Sequence, residues 1–200
     1  MKLNNKTILD YNYLDKQNNP FQVMMDWEKP YMEKCVDVLK PHGDVLEIGF
    51  GMGYSATAIN KYRLRSYTVI EKDDEVIKKF NRWKLKQRNK KINLVKGMWQ
   101  FKLPFTKKFD CIFFDDSPSH EIKGYQDRFY LFLKLILSHV KYNTTLVSYG
   151  TAKCKLTGYL TKHFKMNTYP YYIKIPCNCR YAKGNYMYVN KITFRKKLNG

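Results

Sequence analysis

The nine residues Val45-Leu46-Glu47-Ile48-Gly49-Phe50-Gly51-Met52-Gly53 constrain the fold more than any other segment of the chain. An aliphatic run leads into an acid and then three glycines at alternate positions. Ala56, Ala58 and Ile59 follow at spacings that suit a helix packed on a sheet. A strand that ends in such a turn lets a ligand come against the backbone, because glycine carries no Cβ and tolerates positive φ. Residues 66–71 read as a second strand ending in an acid, with a helix predicted over 73–88, and residues 91–96 as a third strand. Residues 109–115 form a near-continuous apolar run, as expected of a parallel strand buried on both faces, and they too end in an acid. This order predicts an α/β, Rossmann-like fold: a seven-stranded, mostly parallel sheet with helices on both faces. Residues 168–176 and 185–194 would close it as an antiparallel hairpin, with 177–184 as the loop between them.

The chemistry follows from where the acids fall. In open α/β sheets ligands bind outside the carboxyl ends of the strands. The pattern Glu-x-Gly-x-Gly-x-Gly is not the Gly-x-Gly-x-x-Gly of dinucleotide folds, and no Gly-Lys-Ser/Thr follows to bind phosphate. A nucleoside without a phosphate, S-adenosylmethionine, therefore suits the turn better than NAD or ATP. Glu47 would point into the crevice and hold a hydroxyl or ammonium group. Glu71 would face a ribose and accept hydrogen bonds from both of its hydroxyls. Gly97-Met98-Trp99 would form an edge for an adenine ring. Taken singly, each of Glu47, Glu71 and Asp115 reads better as a helix N-cap or turn residue. Three such acids at strand ends around one glycine loop point to a binding crevice.

Two hundred residues at 44% apolar content are enough for one core, so residues 21–200 are expected as a single domain and residues 1–20 as a mobile arm or lid. No apolar run reaches membrane-spanning length. Residues 130–140 are interrupted by Lys134 and carry helical periodicity through Phe129, Phe132, Leu133, Ile136 and Val140. The first five residues lead into a polar segment without the apolar core of a signal peptide. Five cysteines at no framework spacing argue for a reducing, cytoplasmic setting, and Cys177-x-Cys179 lacks the second pair that a zinc site needs. No metal is expected. The net charge of +20, with basic clusters at 84–91, 107–108 and 195–197, is large enough to bind nucleic acid in a salt-dependent way, and 17 tyrosines offer stacking platforms. The same lysines are spread over predicted helix faces in a chain rich throughout in Lys, Asn, Ile and Tyr, as an A+T-rich genome would encode. Both readings of the charge stay open.

Several motifs resemble one family. Residues 23–32, Val-Met-Met-Asp-Trp-Glu-Lys-Pro-Tyr-Met, are similar to the Val-Met-x-x-Trp-Glu-x-Pro-Tyr-Met segment of guanidinoacetate N-methyltransferases, a class I S-adenosylmethionine-dependent family. Residues 45–52 resemble that family's Val-Leu-Glu-Val-Gly-Phe-Gly-Met, and Lys96-Gly97-Met98-Trp99 its Lys-Gly-Leu-Trp. Residues 109–115 resemble its Phe-Asp-Gly-Ile-Leu-Tyr-Asp, and Cys179-Arg180-Tyr181 its Cys-Arg-Tyr. The matches run in order from about residue 23 to about residue 190.

The resemblance implies roles for matching positions. Met24 and Met32 would contact the cofactor. Phe50, Gly51, Met52, Gly53, Tyr54 and Ser55 would cradle its methionine part, beside Glu47 and Gly49. Glu71, Lys72 and Asp73 would bind the ribose, and Met98 and Trp99 would border the adenine. Glu28 and Asp115 would be the catalytic carboxylates that hold the substrate's guanidino group, with Asp115 also against the cofactor. Read from the residues alone, Glu28 is an ordinary acid in the first turn of a helix, and Met24, Trp27 and Met32 a core stripe. After the fifth strand the family's Asn-Leu-Thr-Ser stretch corresponds to Ser148-Tyr149-Gly150-Thr151-Ala152-Lys153. There Lys153 is a candidate for pairing with a substrate carboxylate, or a solvated lysine. The expected activity is methyl transfer to a guanidino nitrogen of a small molecule, guanidinoacetate-like or arginine-like. Other readings are a nucleic-acid or protein-arginine methyltransferase, a spermidine-synthase-like aminopropyl transferase, and a non-catalytic cofactor- or RNA-binding module.

Overall fold

The computed structural model describes residues 2–3, 6–15, 17–88, 91–116 and 125–194. Three strands, β1 (Lys2–Leu3), β2 (Thr7–Leu14) and β3 (Pro20–Met25), form a small antiparallel sheet. Helix α1 (Lys29–Leu39) leads to β4 (Gly43–Ile48), α2 (Tyr54–Ile59), β5 (Leu64–Glu71), α3 (Asp74–Leu85) and β6 (Ile92–Lys96). The chain continues through α4 (Trp99–Lys102), β7 (Phe109–Phe114), α5 (Tyr125–Ile136), β8 (Val140–Ser148), α6 (Leu160–His163), β9 (Phe164–Tyr172) and β10 (Tyr186–Phe194).

The main sheet has seven strands in the order β6-β5-β4-β7-β8-β10-β9. The five from β6 to β8 are parallel, and β10 runs antiparallel to both its neighbours. The chain winds outward from β4 to β6 and then crosses back to β7, so β4 and β7 flank the switch point where a crevice must open at the carboxyl edge. Side chains alternate across the sheet. Val45, Tyr67, Val69, Cys111 and Phe113 pack on one face with Tyr31, Val36 and Phe80 of α1 and α3. Leu46, Ile48, Ile70, Ile112 and Phe114 pack on the other, where α5 presents Phe129, Phe132, Leu133 and Ile136 at helical spacing. Phe114 stacks on Phe132 with centroids 4.1 Å apart. Each of these fully buried aromatics contributes about 2–3 kcal/mol from area alone.

Three details depart from the sequence reading. The described residues of the expected N-terminal arm pair as strands, because alternation through β2 turns Ile8 into the core while Tyr11 stays exposed. Helix α3 stops at Leu85, itself 85% exposed, because no apolar side chain beyond it faces the core. Strand β9 begins at Phe164, four residues earlier than expected, since buried Phe164 pairs with Phe194 across the hairpin. Of the basic clusters, residues 89–90 and 195–200 lie outside the described residues.

The opposite edge of the sheet is fastened by charge. Buried Asp44 at the start of β4 accepts from Ser66 Oγ, Lys107 Nζ, Lys141 Nζ and Arg65 Nη1 at 2.7–2.9 Å, and its own N–H donates to Asp110 Oδ2 at 2.7 Å. Burial opposes ionisation of Asp44, but the hydrogen bonds from Lys107, Ser66, Lys141 and Arg65 outweigh it and hold the carboxyl well below the usual range. Lys107 and Arg65 are more than half exposed, so solvent screens them and breaking the cluster costs less than breaking a fully buried one. Asp44→Asn should lower unfolding free energy by about 1–2 kcal/mol near pH 7. The loss should shrink as pH falls below about 4, where the native carboxylate's advantage disappears. Denaturant melts at both pH values check this.

Candidate active site

The register of the sheet assembles the site. Ile48 pairs with Ile70 on one side and Phe114 on the other, so the next residues, Gly49, Glu71 and Asp115, emerge side by side at the carboxyl edge. Gly49 N–H donates to Ile70 O at 2.9 Å, and Asp115 N–H donates to Ile48 O at 3.1 Å. Gly49 has φ +81°, and a Cβ there would sit 2.3 Å from the Asp115 carbonyl oxygen, a backbone atom that has no room to yield. At Gly51, φ +52°, a Cβ would meet only the flexible Met24 Sδ, at 2.7 Å. The Met24 thioether itself accepts the Met52 N–H at 3.3 Å, which ties β3 to the glycine turn. The turn is thus held as close to its neighbours as bare backbone allows.

The same two-residue alternation puts Glu47, Glu71 and Asp115 on one face of the sheet. Glu47 lies one step below the rim, fully buried, and accepts hydrogen bonds from Ser55 Oγ and the Tyr67 hydroxyl. Burial raises its carboxyl to about 8 against those two donors. Glu71 accepts three backbone N–H bonds: Phe50 on Oε2 at 2.9 Å, and Lys72 and Asp73 on Oε1 at 2.7 and 2.9 Å. A carboxylate has about four acceptor positions, so these three bonds occupy most of its capacity. Asp73 caps α3, accepting from Glu75 N–H at 3.0 Å and Val76 N–H at 3.1 Å.

Glu28 arrives from outside the sheet. It ends a single 3-10 turn, Asp26–Glu28, that precedes α1, and its side chain reaches back to accept the Met25 N–H at 2.8 Å, half of a capping box. Its Oε1 also accepts from the Tyr181 hydroxyl. Only 1% exposed, Glu28 is pushed up to about 7 by burial, against the two hydrogen bonds that oppose it. Asp115 is raised well above the usual carboxylate range by burial and then by the charges of Glu28, Glu47, Asp116 and Glu71. The charge of Glu28 is the first of these, so its carboxyl lies close enough to Asp115 to oppose its ionisation. Neighbouring Asp116 is compensated by Arg128 Nε at 3.0 Å. Among the described residues Glu28, Glu47, Glu71 and Asp115 make no ion pair at all, in a chain of net charge +20.

Other expected site residues fall into place unequally. Met24 and Met32 are buried in the core beneath the turn. Phe50 contributes its N–H to Glu71, while its ring packs edge-on against Phe80 and Trp83 at 5.2 and 5.5 Å. Gly53 is the N-cap of α2; Tyr54, half-buried, and Ser55 open its first turn. Lys72 and Met98 are half-buried, whereas Trp99 is only 4% exposed and packs against Phe114 and Phe132. Lys153 is exposed in the loop after β8 and has no ion pair among the described residues. Ser117, Pro118 and Ser119 lie outside the described residues. Two hydroxyls at the site, those of Tyr67 and Tyr181, are not picked out by any spacing; Tyr181 stands 153 residues from Glu28.

The residues fit S-adenosylmethionine. A cradle that admits no Cβ, an acceptor for a ribose hydroxyl and unpaired carboxylates suit a nucleoside that carries a sulfonium and an ammonium. Two outcomes are expected. Gly49→Ala should unfold more readily by several kcal/mol, while Gly51→Ala should stay folded and lose cofactor affinity, as thermal melts and calorimetric titration would show. Because the Glu28 and Glu47 carboxyls rise from 4.5 to about 7 and 8 on folding, the ligand-free protein should lose stability as pH climbs from 4.5 to 8. Glu28→Gln, with its carboxamide oxygen still an acceptor, should remove roughly 3 kcal/mol of that loss. Melts across this pH range check it.

Comparison with known proteins places the chain in a family. The family model for guanidinoacetate N-methyltransferase matches residues 5–168. Protein arginine N-methyltransferase 2 of Candida glabrata is 34% identical over 120 residues, which is 56% of this chain and 28% of that protein; the chain thus matches under a third of its relative's length. Among solved structures, TrmN from Thermus thermophilus superposes with a TM-score of 0.61 at 13% identity, over 84% of this chain and 49% of that one. An O-methyltransferase from Bacillus cereus in complex with SAH gives 0.57 at 12% identity, over 86% and 82%. Spermidine synthase from Thermotoga maritima gives 0.61 at 14% identity, over 87% and 62%. These structural likenesses establish the Rossmann-like fold. With four-fifths of its length under the family model, the chain belongs to the guanidinoacetate N-methyltransferase family of S-adenosylmethionine-dependent enzymes.

Proposed function

We propose that this chain transfers a methyl group from S-adenosylmethionine to a guanidino nitrogen of a small molecule. The observation that supports it most is a group of carboxyls with no ion pair among the described residues, buried Glu28 and the half-buried Asp115 whose ionisation Glu28 opposes, in a strongly basic chain. Two like charges buried together resist ionisation; a cation placed between them relieves both. The planar fork of a guanidinium suits a pair of carboxylates better than a point charge does.

When bound, S-adenosylmethionine supplies an electrophilic methyl group on a sulfonium. The protein's task is to make a poor nucleophile serve. A guanidinium has a pKa of about 13, so removing its proton at pH 7 costs about 8 kcal/mol. Glu28 and Asp115 would bind the cation by charge-assisted hydrogen bonds and so orient one nitrogen for reaction. Asp115 would accept the nitrogen's proton as the N–C bond forms and the sulfonium's S–C bond breaks to leave a neutral thioether, so the deprotonation cost is never met as a separate step. The environment that raises its pKa also makes Asp115 a stronger base than an exposed carboxylate.

A second reading, an arginine side chain in a polypeptide, is favoured by the curated relative, which is named a protein arginine N-methyltransferase. Labelled methyl donor offered to guanidinoacetate, arginine, arginine-containing peptides, polyamines, RNA and DNA separates the two. Label in a free guanidino compound, with adenosylhomocysteine as the nucleoside product, supports the proposal; label only in peptide or nucleic acid, or methylthioadenosine as product, contradicts it. Asp115→Asn should lower kcat by about a thousandfold or more while cofactor affinity stays within a few-fold. Turnover within tenfold of the parent would end the assignment.

A further inference from the structure

We propose that Tyr181 is a positioning residue that locks the Glu28 carboxylate, holding one oxygen and leaving the other for the acceptor; this rests on the guanidino reading above. Both hydrogen bonds to Glu28, from the Met25 N–H and the Tyr181 hydroxyl, fall on Oε1. No described residue hydrogen-bonds Oε2. Two donors from different parts of the chain fix the plane of the carboxylate, which three side-chain torsions would otherwise leave free. A guanidinium would then meet one oriented oxygen of Glu28.

The phenol is itself held. Its ring stacks on Trp27, next to Glu28 in the chain, with centroids 6.4 Å apart and planes inclined by 22°. The loop that carries it, between β9 and β10, is stitched to the N-terminal strands. Arg180 N–H donates to Gln22 Oε1 at 2.7 Å, and Gln22 Nε2 donates to Asn178 O at 2.9 Å. The Arg180 guanidinium binds Asp15 Oδ2 at 2.7 Å and the Pro20 carbonyl. Tyr181 is therefore the end of a braced path from β3 through the loop to the carboxylate. The other groups that bear on Glu28 are Asp115 beyond β7, Cys35 on α1, Tyr54 at the start of α2 and Cys179 on the loop, all acidic or neutral. None of them donates to Oε2, so the acceptor supplies the missing positive charge.

Two measurements test this. In the ligand-free protein, the Glu28 carboxyl followed by carbon-13 NMR should titrate near 7 in the parent, higher in Tyr181→Phe, and lower when 3-fluorotyrosine, a stronger donor, replaces Tyr181. In turnover, Tyr181→Phe should lower kcat/KM for the guanidino acceptor at least tenfold, mainly through KM, and move the acid limb of its pH profile upward. Cofactor affinity should not change. A Glu28 titration that ignores both replacements, or a shifted titration with unchanged acceptor KM, would overturn the proposal. Absence of any guanidino turnover in the parent would overturn the acceptor half, while the NMR titration alone still decides whether Tyr181 holds Glu28.

Discussion

Like charges confined without counter-ions are the constraint around which this molecule is built. Glu28, Glu47, Glu71 and Asp115 converge on one crevice at the carboxyl edge of the sheet, and among the described residues no Lys or Arg pairs with any of them. Burial makes their ionisation costly. The fold offsets part of that cost with neutral donors only: two hydroxyls on Glu47, three backbone N–H groups on Glu71, and one of each kind on Glu28. Asp115 receives least, and its carboxyl stands well above the ordinary range. The contrast with Asp44 at the other edge is instructive. That acid is surrounded by Lys107, Lys141 and Arg65 and held ionised. One edge is satisfied and fastens the sheet; the other is left electrostatically incomplete, which is what the proposed cationic acceptor would complete.

The scaffold makes this incompleteness tolerable. Parallel strands β4, β5 and β7 are locked by two apolar layers, so the acids at their ends cannot separate to relieve repulsion without unpacking residues such as Val69, Phe113 and Phe114. The glycine turn serves the same end from the backbone side. Gly49 lies against the Asp115 carbonyl, a backbone atom with no room to yield, which fixes the turn against β7. Site and core are therefore coupled by geometry: the register that buries Ile48, Ile70 and Phe114 also sets Gly49, Glu71 and Asp115 abreast.

Much of this was legible in the sequence because it depends on local pattern. Apolar runs ending in acids located β4, β5 and β7, and the spacing of Phe129, Phe132, Leu133 and Ile136 located the buried face of α5. Glu28 was legible only through resemblance, since an acid in a first helical turn is ordinary. What escaped depends on contacts between distant segments. No periodicity brings Tyr181 to Glu28 or Tyr67 to Glu47, and nothing in the composition of Phe50 shows that its ring enters the core while its N–H serves Glu71. The strands of the N-terminal segment were hidden by its polar residues, two of which, Thr7 and Asp10, are buried in the hairpin beside Ile8 and break the expected apolar alternation.

The most direct measurement is the proton balance of ligand binding. Calorimetric titration of guanidinoacetate into the cofactor-loaded protein, repeated near pH 6.5 in buffers of different ionisation enthalpy, counts protons gained or lost. If Glu28 and Asp115 are partly protonated before the cation arrives, binding must release protons to the buffer, and the release should diminish in Glu28→Gln and Asp115→Asn. Binding of the same affinity with no proton release, unaltered by either substitution, would show that these two carboxylates do not meet the substrate's charge.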